Sequence, residues 1–381
     1  MSDLELGDTI DSAAAVANPL AAVFSRDLSF RLESGRCFGP IKIAYKTFGT
    51  LNREKSNAVL VFPTLTATPQ VAAETVDGKQ YPGWWQEIVG RGKAIDTDKF
   101  FVICADHFGG CYGSSGPSSI NPDTEKEFGL SFPGFFIQDM ANVAIEFLQN
   151  IGIRKLHAVV GASIGGLLAL EMIALQKGIA ENALVLGASH RVSAQYLALN
   201  YIARQAIMLD TAWNDGDYYG NVFPSEGLSI ARQIGHISYL NQLLLEEKFG
   251  RQPVGGRLRN HVSLGMQYQV ESYLEHQGKK FCKRFDPNSY IYLSKAIDTF
   301  DLEKEFGSIA GAFTGAETKF NFISISSDNL FLPRDTKELH AQLQACGASS
   351  TFNEIMSPKG HDGLFLETEK IEAIIRKALW K

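Results

Sequence analysis

Apolar positions along this chain follow two periods. Residues 58–62 and 100–105 are short continuous apolar runs, the pattern of strands buried on both faces of a sheet, and 156–160, 183–187 and 320–326 also read as strands. Between them the spacing turns helical. Ile137, Met140, Ala141, Ala144, Phe147 and Leu148 form one amphipathic stripe that stops near Gly152, and Leu167, Leu168, Leu170, Ile173 and Leu175 form another immediately after 156–160. Near the end, a helix around Leu339 and Leu343, a strand over 351–355 and a helix through Ile371, Ile374, Ile375 and Leu379 continue the alternation. Upstream, 29–32 and 41–48 have strand composition and flank the turn-rich stretch 33–36, which predicts an edge hairpin.

Strands alternating with helices predict an α/β protein with a mostly parallel sheet and right-handed crossovers. The alternation lapses between 191 and 306, where helical segments are predicted over 193–208, 228–249, 267–285 and 289–300 and no buried strand. A helical insertion capping the sheet edge accounts for this. The expected organisation is a flexible amino-terminal arm over 1–27, an α/β core from 28–190 and 307–381, and a helical cap from 191–306. A long glycine- and serine-rich loop follows Asp106; its Ser114 and Ser115 have no strand running into them and are read as structural.

Composition narrows the function classes. Forty-five per cent hydrophobic and 20% charged residues are globular values, and a formal charge of −6 argues against a broad nucleic-acid surface. No apolar run approaches the roughly 20 residues that span a bilayer. The five cysteines, Cys37, Cys104, Cys111, Cys282 and Cys346, are widely spaced without a zinc-like pattern, so no metal is expected and reduced thiols in a cytoplasm fit best. The acidic start, with Asp3, Glu5, Asp8 and Asp11, lacks the basic flank of a signal peptide.

The chemistry centres on Gly161-Ala162-Ser163-Ile164-Gly165, a G-x-S-x-G sequence between a strand pattern and a helix pattern. The plainer reading is a glycine-rich turn whose serine caps a helix. The flanking patterns favour a nucleophile elbow, in which a sharp strand-to-helix turn lifts the serine hydroxyl over the sheet edge. The expected fold is therefore an α/β-hydrolase fold. A serine hydroxyl needs a base and an acid that orients it, in the chain order Ser, acid, His. His361, in the loop 357–363 after the last strand, is the base; His340 sits in a helical pattern as a surface group. Asp328, just past the strand at 320–326, is the acid, whereas Asp335 lies in a helix start. Oxyanion donors are expected from the amide of Ile164 and from the loop 63–67, where Leu65 is favoured but spacing alone does not separate it from Thr64.

From about Cys37 onward the sequence resembles the homoserine O-acetyltransferase family. The stretches that carry the resemblance include Pro82-Gly83-Trp84-Trp85, Gly109-Gly110-Cys111-Tyr112-Gly113-Ser114-Ser115-Gly116-Pro117, Ala231-Arg232-Gln233-Ile234-Gly235-His236, Phe285-Asp286-Pro287-Asn288-Ser289-Tyr290 and Gly360-His361-Asp362. The resemblance implies Ser163, Asp328 and His361 as the triad, Arg232 on the carboxylate and Asp362 on the ammonium of an amino-acid acceptor such as L-homoserine or L-serine. It also implies acetyl-CoA as co-substrate with no bound cofactor, a place in methionine biosynthesis, and a homodimer through the cap. A hydrolase passing the acyl group to water is the alternative, and a non-catalytic binding protein a third. The chain departs from the family's usual His-Ala-Leu-Thr-Gly in the oxyanion loop, reading Pro63-Thr64-Leu65-Thr66-Ala67, and from Gly-Gly-Ser-Met-Gly-Gly at the elbow. Asn329 replaces a tryptophan, and Leu330 stands where an arginine accompanies succinyl donors, a lean toward acetyl.

Overall fold

A computed structural model describes residues 22–26, 30–256 and 264–380. Eight strands form the central sheet: β1 (Ala22–Arg26), β2 (Ile41–Phe48), β3 (Ala58–Phe62), β4 (Phe101–Ala105), β5 (Leu156–Ala162), β6 (Ala180–Leu186), β7 (Lys319–Ile325) and β8 (Ser350–Ile355). Their spatial order is β1-β2-β4-β3-β5-β6-β7-β8. From β4 to β8 every neighbouring pair is parallel, while β2 runs antiparallel to both β4 and β1.

The continuous apolar runs are buried on both faces because helices cover both. In β3, Ala58, Leu60 and Phe62 enter one apolar layer with residues of α1 (Ile137–Asn150) and α2 (Ile164–Leu175). Val59 and Val61 enter the other, with Trp84, Trp85 and the terminal helix residues Ile371 and Ile375. Alternate side chains of one strand therefore anchor two layers.

Two predicted elements are corrected. The edge hairpin of 29–32 with 41–48 does not form. Phe30–Arg31 pairs with Cys37–Phe38 in a small separate ribbon closed by Gly35 N–H donating to Leu32 O, and Ala22–Arg26, placed in the arm expected over 1–27, takes the edge beside β2. The turn at 32–36 is tight enough to pair with the residues just beyond it, and Pro40, with no N–H, ends that pairing before β2 begins. The rest of the expected arm, 1–21 and 27, lies outside the described residues.

Between β6 and β7 lie α3 (Ala194–Met208), α4 (Ser225–Tyr239), α5 (Gln242–Lys248), α6 (Gln269–Phe281) and α7 (Pro287–Asp298). The helix expected over 228–249 breaks at Leu240-Asn241: the Asn241 side chain accepts from Leu243 N–H and caps α5. Residues 257–263 lie outside the described ones. The ends of this helical segment meet, with Leu302 N–H donating to His190 O at 3.0 Å and an isolated bridge between Arg191 and Asp301. Among the described residues no helix is long and apolar enough to cross a membrane, and no group of three or more His, Cys, Asp or Glu is placed to hold a metal ion. All five cysteines are unpaired.

Candidate active site

Ser163 stands between β5 and α2 at φ 58°, ψ −124°, a conformation costly for a side-chain-bearing residue and typical of a nucleophile held by its surroundings. The glycines around it make the turn sterically feasible. A Cβ at Gly161 would lie 1.9 Å from the Gly165 carbonyl oxygen, and one at Gly165 would lie 2.7 Å from the Phe62 carbonyl oxygen. Ser163 N–H donates to Leu186 O at 2.9 Å, tying the elbow to β6. The side chain is buried and opens on a pocket that Tyr196 from α3 also lines.

His361 and Asp328 come from the loops after β8 and β7. His361 Nδ1 lies 2.6 Å from Asp328 Oδ2, and the other carboxylate oxygen accepts from Leu330 N–H at 2.8 Å and Phe331 N–H at 3.1 Å. Both side chains are almost fully buried. Burial lowers the His361 pKa, but the charge and hydrogen bond of Asp328, with Asp362 nearby, outweigh it and hold the imidazole above its ordinary value. His361 Nε2 is buried without a hydrogen-bond partner among the described residues, and the ring lines the same pocket as Ser163. The competing candidates lie elsewhere. Asp335 is in the first turn of the helix Pro333–Ala345 beside Arg334, and His340, half-buried rather than a surface group, bonds Ser350 Oγ at 2.7 Å and stacks on Phe352. Ser114 and Ser115 accept from the β2 amides of Ala44 and Lys42, the structural role read from their context.

Ile164 is the first residue of α2, where helix amides have no intrahelical acceptor. The loop 63–67 borders the pocket through Thr64, Leu65 and Thr66. It is a turn closed by Ala67 N–H donating to Thr64 O at 3.1 Å, and Ala67 is not among the residues at positive φ. Three side chains that the linear pattern did not single out hold it. His107 Nε2 donates to Thr64 O at 3.2 Å, Arg284 donates to Thr66 O at 2.8 Å and to the Tyr112 hydroxyl at 2.7 Å, and Tyr112 donates to Thr66 O at 3.2 Å. They come from the loop after β4 and from beyond α6, remote in sequence from the turn they support.

The helical segment supplies the other wall. Arg232, His236 and Tyr239 on α4 are spaced so that all three face the pocket. The Arg232 guanidinium carbon lies 4.9 Å from the Phe281 ring centre and 5.8 Å from that of Tyr239, and His236 Nδ1 meets the Tyr273 hydroxyl at 3.1 Å. Asp362, half-buried next to His361 in the chain, completes the lining. The break after α4 is part of this construction. Gly360, at φ 65°, has room for no Cβ because Tyr239 O would lie 2.4 Å from it, so the loop carrying His361 presses directly on the end of α4.

This fold and this constellation define an α/β-hydrolase-fold enzyme, and the family model described as alpha/beta hydrolase fold matches residues 57–368. The homoserine O-acetyltransferase of Methanosalsum zhilinae is 44% identical over 345 residues, covering 91% of this chain and 70% of that protein. The homoserine O-acetyltransferase of Pelagibacter ubique is 44% identical over 348 residues, covering 90% and 92%. The chain belongs to the homoserine O-acetyltransferase family. Among solved structures, homoserine O-acetyltransferase from Bacillus anthracis superposes with a TM-score of 0.87 at 28% identity over 94% of this chain and 97% of that one. Esterase E22 superposes with a TM-score of 0.85 at 28% identity over 94% and 99%.

Proposed function

We propose that this protein is an acyltransferase that moves an acetyl group from acetyl-CoA to the hydroxyl of L-homoserine, in methionine biosynthesis. His361, its tautomer held by Asp328, takes the Ser163 proton as Oγ attacks the thioester carbonyl. The oxyanion lies on the Leu65 and Ile164 amides, and the C–S bond breaks as the proton passes from His361 to the CoA thiolate. The acceptor hydroxyl then gives its proton to His361, attacks the acetyl-serine carbonyl, and Ser163 leaves with that proton. Arg232 takes the acceptor's carboxylate and Asp362 its ammonium, a guanidinium fork and a point charge matched to an amino acid.

The observation that carries this reading is that one pocket is lined both by Ser163 and His361 and by the opposite charges of Arg232 and Asp362. The helical segment 191–306 acts as the cap that restricts water, and a homodimer through exposed apolar residues such as Tyr201, Ile202, Ile230 and Ile237 fits its outer face. Acetyl-CoA with L-homoserine must yield O-acetyl-L-homoserine and free CoA by mass spectrometry, with ping-pong kinetics. Free acetate as the sole acyl product would establish the second reading, a hydrolase, which the likeness to esterase E22 favours.

A further inference from the structure

The Leu65 amide shares a rigid plane with the Thr64 carbonyl. That peptide bond is trans, so its N–H points opposite to its C=O, and whatever fixes the carbonyl aims the amide. Two donors meet the Thr64 oxygen: Ala67 N–H at 3.1 Å and His107 Nε2 at 3.2 Å. The first closes the turn and travels with it. His107 is anchored outside it, at the end of β4, and is buried at 4% exposure, so its bond ties the plane to the sheet. Burial pushes the His107 pKa down to about 4, against the opposing pull of the Thr64 and Pro63 carbonyls, so at neutral pH the ring is an uncharged donor and places no cation beside the oxyanion site. The loop has little else to hold this plane from within, because Pro63 contributes no N–H and no polar side chain. Tyr112 and Arg284 brace the next carbonyl but one, Thr66, at 3.2 and 2.8 Å.

We propose that His107 is a positioning residue for acyl transfer, aiming the Leu65 amide at the oxyanion by holding the Thr64 carbonyl from the sheet. This rests on Ser163 being the nucleophile and not on which acceptor follows. The test is therefore acylation of purified enzyme by p-nitrophenyl acetate, followed as the pre-steady-state burst of nitrophenolate.

Deleting an oxyanion donor outright costs about 10²- to 10³-fold, and freeing its plane leaves the donor in place, so H107L slows acylation by about 10- to 100-fold with the half-saturating ester concentration unchanged. Glutamine places its amide nitrogen where Nε2 lies and asparagine does not reach it. H107Q thus restores acylation to within about threefold of wild type, while H107N stays at least about tenfold below H107Q. This comparison of two buried amides also carries the test if H107L fails to fold in a melting curve. Wild-type acylation by H107L, or equal rates for H107Q and H107N, would overturn the positioning role. No burst from wild-type enzyme would overturn the reading of Ser163, and this proposal with it.

Discussion

Replacing Asp328 with asparagine tests the site through a single proton. The carboxylate has two faces: Oδ1 accepts from the Leu330 and Phe331 amides at 2.8 and 3.1 Å, and Oδ2 lies 2.6 Å from His361 Nδ1. In D328N the side-chain oxygen stays with the two backbone donors, so the NH₂ faces Nδ1. The imidazole must then accept there and carry its proton on Nε2, where it cannot take one from Ser163. Flipping the amide to restore the productive tautomer leaves two buried N–H groups without acceptors, at about 1–3 kcal/mol each. At about 1.4 kcal/mol per tenfold, the competent form is scarcer by roughly 30-fold to 2 × 10⁴-fold. Loss of the charge that stabilises the imidazolium adds to this, so kcat for CoA release from acetyl-CoA with L-homoserine falls by about 10⁴-fold. The melting temperature should change little, since the backbone donors keep their acceptor. D328N within tenfold of wild type, or an equal loss in D335N, would refute the assignment of the acid.

Three further outcomes follow from the same geometry. His361 works as a base only when neutral and its pKa is held above the ordinary 6.5, so kcat/KM must rise with pH through an apparent pKa above 6.5; a profile flat down to pH 5.5 would contradict this. R232K keeps the charge but loses the fork, so the acceptor KM rises by roughly 10- to 100-fold while the p-nitrophenyl acetate burst is unchanged; a slowed burst would place Arg232 in acylation instead. Glu171 on α2 is fully buried, and burial first, then the nearby negative charges of Glu305 and Glu33, raise its pKa from 4.5. Its contribution to stability is full below the unfolded value and lost as pH rises toward the folded one, so E171Q gains in melting temperature over wild type from pH 5 to pH 8; a constant difference would show that Glu171 is ionised in the fold.

Ser163, Asp328 and His361 were legible as candidates because each carries a local signal: glycines at a forced turn, and polar residues in the loops that follow strand runs. Ser163, Asp328 and His361 follow from that chain order together with the rule that α/β sites assemble at the carboxyl ends of strands. The break at Leu240-Asn241 was not legible, since the spacing of apolar residues runs through it; it is set by Gly360 arriving from over a hundred residues away and by Asn241 capping the next helix. The edge strand was misassigned for a similar reason, because 22–26, 29–32 and 37–38 compete for partners and turn geometry at 32–36 decides among them.

What the sequence determined alone is the alternation of buried strands and amphipathic helices, the helical segment interrupting it, and the three candidate residues at the strand ends. Period and turn chemistry are properties of neighbours along the chain, and they suffice for these. Only the tertiary structure decided how the loop 63–67 is held. The donors to its carbonyls, His107, Tyr112 and Arg284, are distant in sequence, and a hydrogen bond to a backbone oxygen leaves no periodic trace in the residues that make it.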